Sequence, residues 1–233
     1  MSVDQEKKQI VSSSLLAAGI VAALWLVKLA EELMGISLSF MGLLPLKVEG
    51  LKGILFAPLL HGSYKHLISN SIPLFLLSAA LFYYYRNKAW QIFIFSWLLT
   101  GIWVWLFARG NSYHIGASGV VYALTAYHLV SGIIRKEPRL IAFSLLVTFL
   151  YGSFVWGIFP GFSPGERISW ESHLMGTIAG IILAFGYRDV GPQRKVYEWP
   201  EEEDDEDDST TTTGENGTHY SSTFTSKPND PAT

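Results

Sequence analysis

Cysteine is absent from the 233 residues, which excludes disulfides, thiolate metal sites and a cysteine nucleophile. Charge is scarce: Asp, Glu, Lys and Arg make up 16% of the chain against 49% hydrophobic residues, and mean hydropathy is +0.27. No His-Glu-x-x-His pattern and no carboxylate cluster accompanies the histidines, so a histidine-metal centre is not expected. The sequence calls for no cofactor, no metal and no nucleic-acid partner. The charge that is present is unevenly divided. Up to Arg188 there are 14 Lys+Arg against 8 Asp+Glu, and from Asp189 onward 3 against 12. The acidic block Glu201–Asp208 and the Ser/Thr/Gly-rich end after it cannot bury a core, so residues 189–233 read as a disordered, solvated tail.

What fills the rest is apolar sequence in long runs. They fall at Val11–Leu33, Leu67–Tyr85, Trp90–Phe107, Gly116–Ile134, Leu140–Phe159 and Ile168–Tyr187. Each approaches the roughly 20 residues that cross a bilayer as a helix, with every backbone hydrogen bond made internally. The first run is too long for a signal-peptide core and is expected to stay as an anchor, with residues 1–10 as a short polar N-terminus and 11–188 as the membrane core. The breaks between runs are short and polar, save one. Met34–Lys65 is half apolar and contains Pro45 and Pro58, which predicts a segment partly embedded in one leaflet.

Basic residues sort by side. With the N-terminus inside, ten (Lys7, Lys8, Arg86, Lys88, Arg135, Lys136, Arg139, Arg188, Arg194, Lys195) face the cytoplasm and five (Lys47, Lys52, Lys65, Arg109, Arg167) lie outside. The excess predicts cytoplasmic N- and C-termini in the inner or plasma membrane. Trp90, Trp103, Trp105, Trp156 and Trp170 near the run ends suit interfacial anchoring.

Parity carries the functional argument. Runs two, four and six begin on the same membrane face whatever the orientation. His66 and Asn70 open the second, Ser118 the fourth, and His173 lies in the first turns of the sixth. Polar side chains in a membrane are costly, and these meet at one shallow depth. Ser118 is bracketed by Gly116, Ala117 and Gly119 at a helix start, where backbone N–H groups are free and a substrate can come close. Gly176 and Gly180 follow His173 on one helical stripe, and Ser118, Tyr122 and Ala126 form another, so two helices in close contact would join serine to histidine. Histidine can take the hydroxyl proton and return it to a leaving amine. Tyr122 is placed to pack under the imidazole. Glu171 points about 200° around the helix from His173 and reads as interfacial. His66 and Asn70, at i and i+4, could donate to a developing oxyanion together with the Ser118 amide. Asn70 could instead merely brace helices. His61, His114 and His128 receive no definite role.

Leu59-Leu60-His61-Gly62-Ser63-Tyr64-Lys65-His66-Leu67-Ile68-Ser69-Asn70, His114-Ile115-Gly116-Ala117-Ser118-Gly119 and Ser172-His173-Leu174-Met175-Gly176 together resemble the rhomboid family of intramembrane serine proteases, in the six-span form of bacterial and archaeal members. The resemblance implies an all-α membrane protein, a six-helix rhomboid-like bundle with the acidic tail appended. It also implies a Ser118–His173 dyad in a cavity open to the outer face, an oxyanion hole of His66, Asn70 and the Ser118 amide, and lateral entry beside Gly152, Gly157 and Pro160. Substrates would be single-span membrane proteins cut near the outer end of the span, with the lipid bilayer as the other partner. One departure stands out: Met34–Lys65 contains no Trp and no Arg, where many members carry a Trp-Arg pair. A catalytically silent membrane-protein binding module and a small transporter are the rival readings. Against transport, the polar residues sit shallow on one face and no inverted repeat is visible.

Overall fold

The computed structural model describes residues 2–110, 112–150, 157–159 and 169–191. Among them are seven α-helices: α1 (Val3–Met34), α2 (Gly53–Phe56), α3 (Tyr64–Tyr85), α4 (Ala89–Phe107), α5 (Ser118–Arg135), α6 (Pro138–Leu150) and α7 (Trp170–Gly186). The only β structure among the described residues is a single bridge between Leu43 and His114. α1, α3 and α4 are long and apolar enough to cross a membrane by length and composition, and α6 is a shorter apolar helix. The expected fifth run extended to Phe159, and its stretch 151–156 lies outside the described residues, as do Gly152, Trp156, Pro160, Arg167 and the tail from 192 onward.

Helix ends follow local chemistry and shift some expected boundaries. α1 starts at Val3 rather than Val11. Ser2 and Gln5 form a reciprocal capping box, and Asp4 and Glu6 sit at the positive end of the helix, so the polar N-terminus is helical too. It stops at Gly35, whose φ of 62° is the left-handed conformation that glycine adopts without strain. α3 begins at Tyr64 behind Ser63, whose hydroxyl accepts from the His66 amide.

α5 is the centre of the bundle, packed by α3, α4, α6 and α7. Every residue from Gly119 to His128 is buried, and Ser131, Gly132 and Arg135 carry the buried face to the helix end. α1 lies on the outside against α3, tied by Trp25 Nε1 donating to Ser71 Oγ (3.0 Å) and Gln9 Nε2 to the Tyr83 carbonyl (2.7 Å). Its far face exposes Leu15, Leu26, Leu29 and Leu33, a surface suited to hydrocarbon rather than water.

The connection between α1 and α3 is held from α4. Trp105 Nε1 donates to the Lys47 carbonyl (2.9 Å) and Trp97 Nε1 to the Ile54 carbonyl (3.0 Å), while Leu46 N donates to the Trp105 carbonyl (2.9 Å). Trp105, expected as an interfacial anchor, thus serves as a strap. These indoles hold a segment that itself has neither Trp nor Arg. At the other end of the bundle Arg135 donates to the Tyr187 and Arg188 carbonyls and to Tyr85 Oη, fastening the end of α7 to α3 and α5.

Candidate active site

Close helix packing builds the site. A Cβ placed on Gly176 would lie 2.1 Å from the Gly119 carbonyl oxygen, and one on Gly180 would lie 2.1 Å from that of Ala123. Only hydrogen at these two positions lets α7 reach α5 so closely. That contact brings the first turn of α7 to the first residue of α5. His173 Nε2 lies 2.8 Å from Ser118 Oγ.

The imidazole is held on its other edge and on its face. His173 Nδ1 is 2.9 Å from the Gly157 carbonyl. A carbonyl can only accept, so Nδ1 carries the proton, and in the neutral ring Nε2 presents its lone pair to the Ser118 hydroxyl. The Tyr122 ring stacks on the imidazole with centroids 4.1 Å apart and planes 9° from parallel. Sequence reasoning assigned Gly157 to the rim of an entry route. The structure shows its backbone oxygen as the group that orients the histidine. Ser118 itself is half-buried, whereas His173 is buried.

His66 and Asn70 converge on the turn just before the serine. A Cβ on Gly116 would fall 2.7 Å from His66 Nε2 and 3.6 Å from Asn70 Nδ2. Gly116 has φ 114°, a backbone conformation rarely open to other residues, and its N–H donates to the Ala57 carbonyl at 2.8 Å. Gly116 therefore leaves room for both side chains beside the Ser118 backbone.

His61, left without a role by the sequence, holds this corner. Its Nδ1 lies 3.3 Å from the Leu59 carbonyl and therefore donates, so Nε2 is an acceptor, and Asn70 Nδ2 donates to it at 3.1 Å. The Ala117 amide approaches the same nitrogen at 3.5 Å. Burial, reinforced by the neighbouring His66, lowers the His61 pKa to about 4 and keeps the ring a neutral acceptor. One Asn70 N–H is thus committed to His61, which fixes the amide plane and leaves the second N–H for another acceptor.

Glu171, expected to be interfacial, is buried, and the Arg109 guanidinium pairs with it from the start of the α4–α5 connection. His128 lies buried in α5 with Nε2 3.1 Å from the Leu77 carbonyl, far along the helix from Ser118. No cluster of three metal-ligating side chains occurs among the described residues.

Comparison with known proteins identifies a family. The rhomboid domain matches residues 49–189. Uncharacterized proteins of Mycobacterium tuberculosis and Mycobacterium leprae are 37% and 34% identical over 180 residues, 75% of this chain and 74% and 70% of theirs. A Bacillus subtilis protein provisionally named a rhomboid protease is 26% identical over 139 residues, 54% of this chain and 62% of its own. Rhomboids are in general serine-type intramembrane proteases, and with the apolar helices the match makes this an integral membrane protein. Because the matched domain spans more than half of its length, the chain belongs to the rhomboid family.

Proposed function

We propose that the protein is a serine endopeptidase that cuts transmembrane segments of other membrane proteins near the outer face, with Ser118 as nucleophile and His173 as general base and then general acid. The observation that carries this is the 2.8 Å approach of His173 Nε2 to Ser118 Oγ, with the opposite ring nitrogen bonded to a carbonyl. His173 accepts the hydroxyl proton as Oγ attacks the scissile carbonyl carbon. It then gives that proton to the departing amine, and water hydrolyses the acyl-serine by the same route. Tyr122 holds the imidazole plane. His66, the free N–H of Asn70 and the Ser118 amide are the donors for the oxyanion. All six apolar runs cross the bilayer, with both termini cytoplasmic and the dyad opening to the outer face of the inner or plasma membrane.

A fluorophosphonate or isocoumarin probe tests the reading. The adduct is expected on Ser118, located by mass spectrometry. No adduct on the folded protein would favour a silent binding module instead.

His66→Ala and Asn70→Ala are each expected to lower turnover by about 10², the low end for loss of one oxyanion donor because the remaining donors share the load. Probe labelling should survive, since the nucleophile–base pair is intact. If Asn70 only braces helices, Asn70→Ala depresses the melting temperature in detergent and leaves the turnover of folded enzyme unchanged.

Removal of everything after Lys195 is expected to leave cleavage of a model membrane substrate within about tenfold of the full chain, because the removed acidic stretch has little apolar surface to dock. A larger loss, above roughly 1.4 kcal/mol of transition-state stabilisation, would give the tail a part in catalysis.

A further inference from the structure

The connection that ends at the nucleophile also grips the start of the helix carrying the base. His114 stands four residues before Ser118, and Ser169 four before His173. Their side chains meet: His114 Nδ1 lies 2.6 Å from Ser169 Oγ, and His114 Nε2 lies 3.3 Å from the Arg109 carbonyl. Ser169 is the N-cap of α7. Its Oγ accepts from the Ser172 amide at 3.2 Å and lies 2.7 Å from Ser172 Oγ. Beside this contact Arg109 pairs with Glu171 and lies over the Trp170 ring at 5.6 Å.

Counting protons fixes the state of His114. The Arg109 carbonyl only accepts, so Nε2 carries a hydrogen. In the neutral ring Nδ1 is then a lone pair, and the Ser169 hydroxyl donates to it. The two lone pairs of Ser169 Oγ remain for the Ser172 amide and the Ser172 hydroxyl, so every group is used once. A second proton on His114 would turn Nδ1 into a donor. The Ser169 hydroxyl would then have to turn to Ser172 Oγ and reverse that bond. Neutral His114 completes the cap without the reversal.

We infer that neutral His114, acting through Ser169, is a positioning residue for the general base, holding the first turn of α7 where His173 Nε2 reaches Ser118 Oγ. The inference rests on the dyad proposed above. Among the described residues, Arg109 and Glu171 are the charged groups that face His114. The Leu43 bridge and the neighbouring wall of α4, with Thr100 and Val104, bring it only uncharged ones. Burial is the largest influence on the His114 ring and lowers its pKa from the ordinary value, so the neutral form prevails near neutral pH and is lost only in acid.

Four full-length variants in detergent test this: His114→Ala, Ser169→Ala, the two combined, and His114→Asn, which keeps a neutral acceptor near the Nδ1 position and cannot be protonated. His114→Ala is expected to slow fluorophosphonate labelling of Ser118 on the order of tenfold, the size of a lost N-cap contact, and to lower kcat with KM unchanged. Ser169→Ala should match it, the double variant should be no slower than either single one, and His114→Asn should recover most of the rate. A wild-type labelling rate in folded His114→Ala, with only the melting temperature depressed, would overturn the role. So would losses that multiply in the double variant. Nitrogen-15 spectra of the imidazoles need no turnover and separate this inference from the one beneath it. Wild-type His114 should be protonated at Nε2 alone at neutral pH, and a proton on Nδ1 overturns the positioning role by itself. The expected tautomer beside an unlabelled wild-type Ser118 overturns the dyad, and the positioning role with it.

Discussion

Ser118→Ala is expected to abolish labelling by a fluorophosphonate and to lower cleavage of a reconstituted single-span substrate by on the order of 10⁶-fold, as when a serine–histidine unit is deprived of either member. His173→Ala gives nearly the same loss, and the double variant little more. The reason lies in the geometry at 2.8 Å. A serine hydroxyl is a weak nucleophile until a base accepts its proton, and His173 Nε2 is the base beside Ser118 Oγ. Either substitution therefore removes the whole unit, leaving what substrate binding and the oxyanion donors supply by themselves. Rates of cleavage and of labelling, measured on folded protein in the same detergent, check the expectation. Full labelling of His173→Ala would mean that another base serves Ser118.

Much of the site was legible because helix parity is a property of the chain alone. His66, Asn70, Ser118 and His173 each open an apolar run expected to start on one face, and the glycine spacing of α7 with the Ser118, Tyr122 and Ala126 stripe of α5 suggested which pair of helices could touch. Contacts within a helix face or between small residues leave a periodic trace in sequence. Other parts leave none. His61 reaches Asn70 from the irregular chain just before α3, where the helical period does not extend. The group orienting His173 is the Gly157 carbonyl, and a backbone oxygen has no residue type by which to recognise it. Arg109 and Glu171 are 62 positions apart, so their pairing emerges only once the bundle is closed. An interfacial place looked natural for Glu171 because its partner could not be seen. The connection after α1 was expected to be partly embedded in one leaflet; its fastening is the work of Trp97 and Trp105 on α4, outside the segment itself.

Gly176→Val should disable the proposed dyad from a distance and destabilise the protein as well. The added Cβ would begin 2.1 Å from the Gly119 carbonyl oxygen, against 3.4–4 Å for ordinary contact. The obstructing atom is backbone, so no side-chain rotation relieves the clash, and α7 must retreat from α5 by more than about 1 Å. Overpacking of this kind typically costs about 1–3 kcal/mol, and opposing backbone places it at the upper end. Gly176 is one turn from His173, so the retreat carries Nε2 away from Ser118 and beyond hydrogen-bond reach. A misplacement of about 1 Å already costs on the order of 10²-fold, and loss of the contact moves the rate toward that of His173→Ala, so at least about 10³-fold is expected. Gly180→Val, one turn further along and 2.1 Å from the Ala123 carbonyl, should lower the melting temperature similarly with a smaller fall in rate. Gly186→Ala is the control, because its Cβ meets nothing within 4 Å. Melting temperature and labelling rate on the three variants decide the matter: wild-type labelling in Gly176→Val would show that the dyad does not depend on the α5–α7 contact.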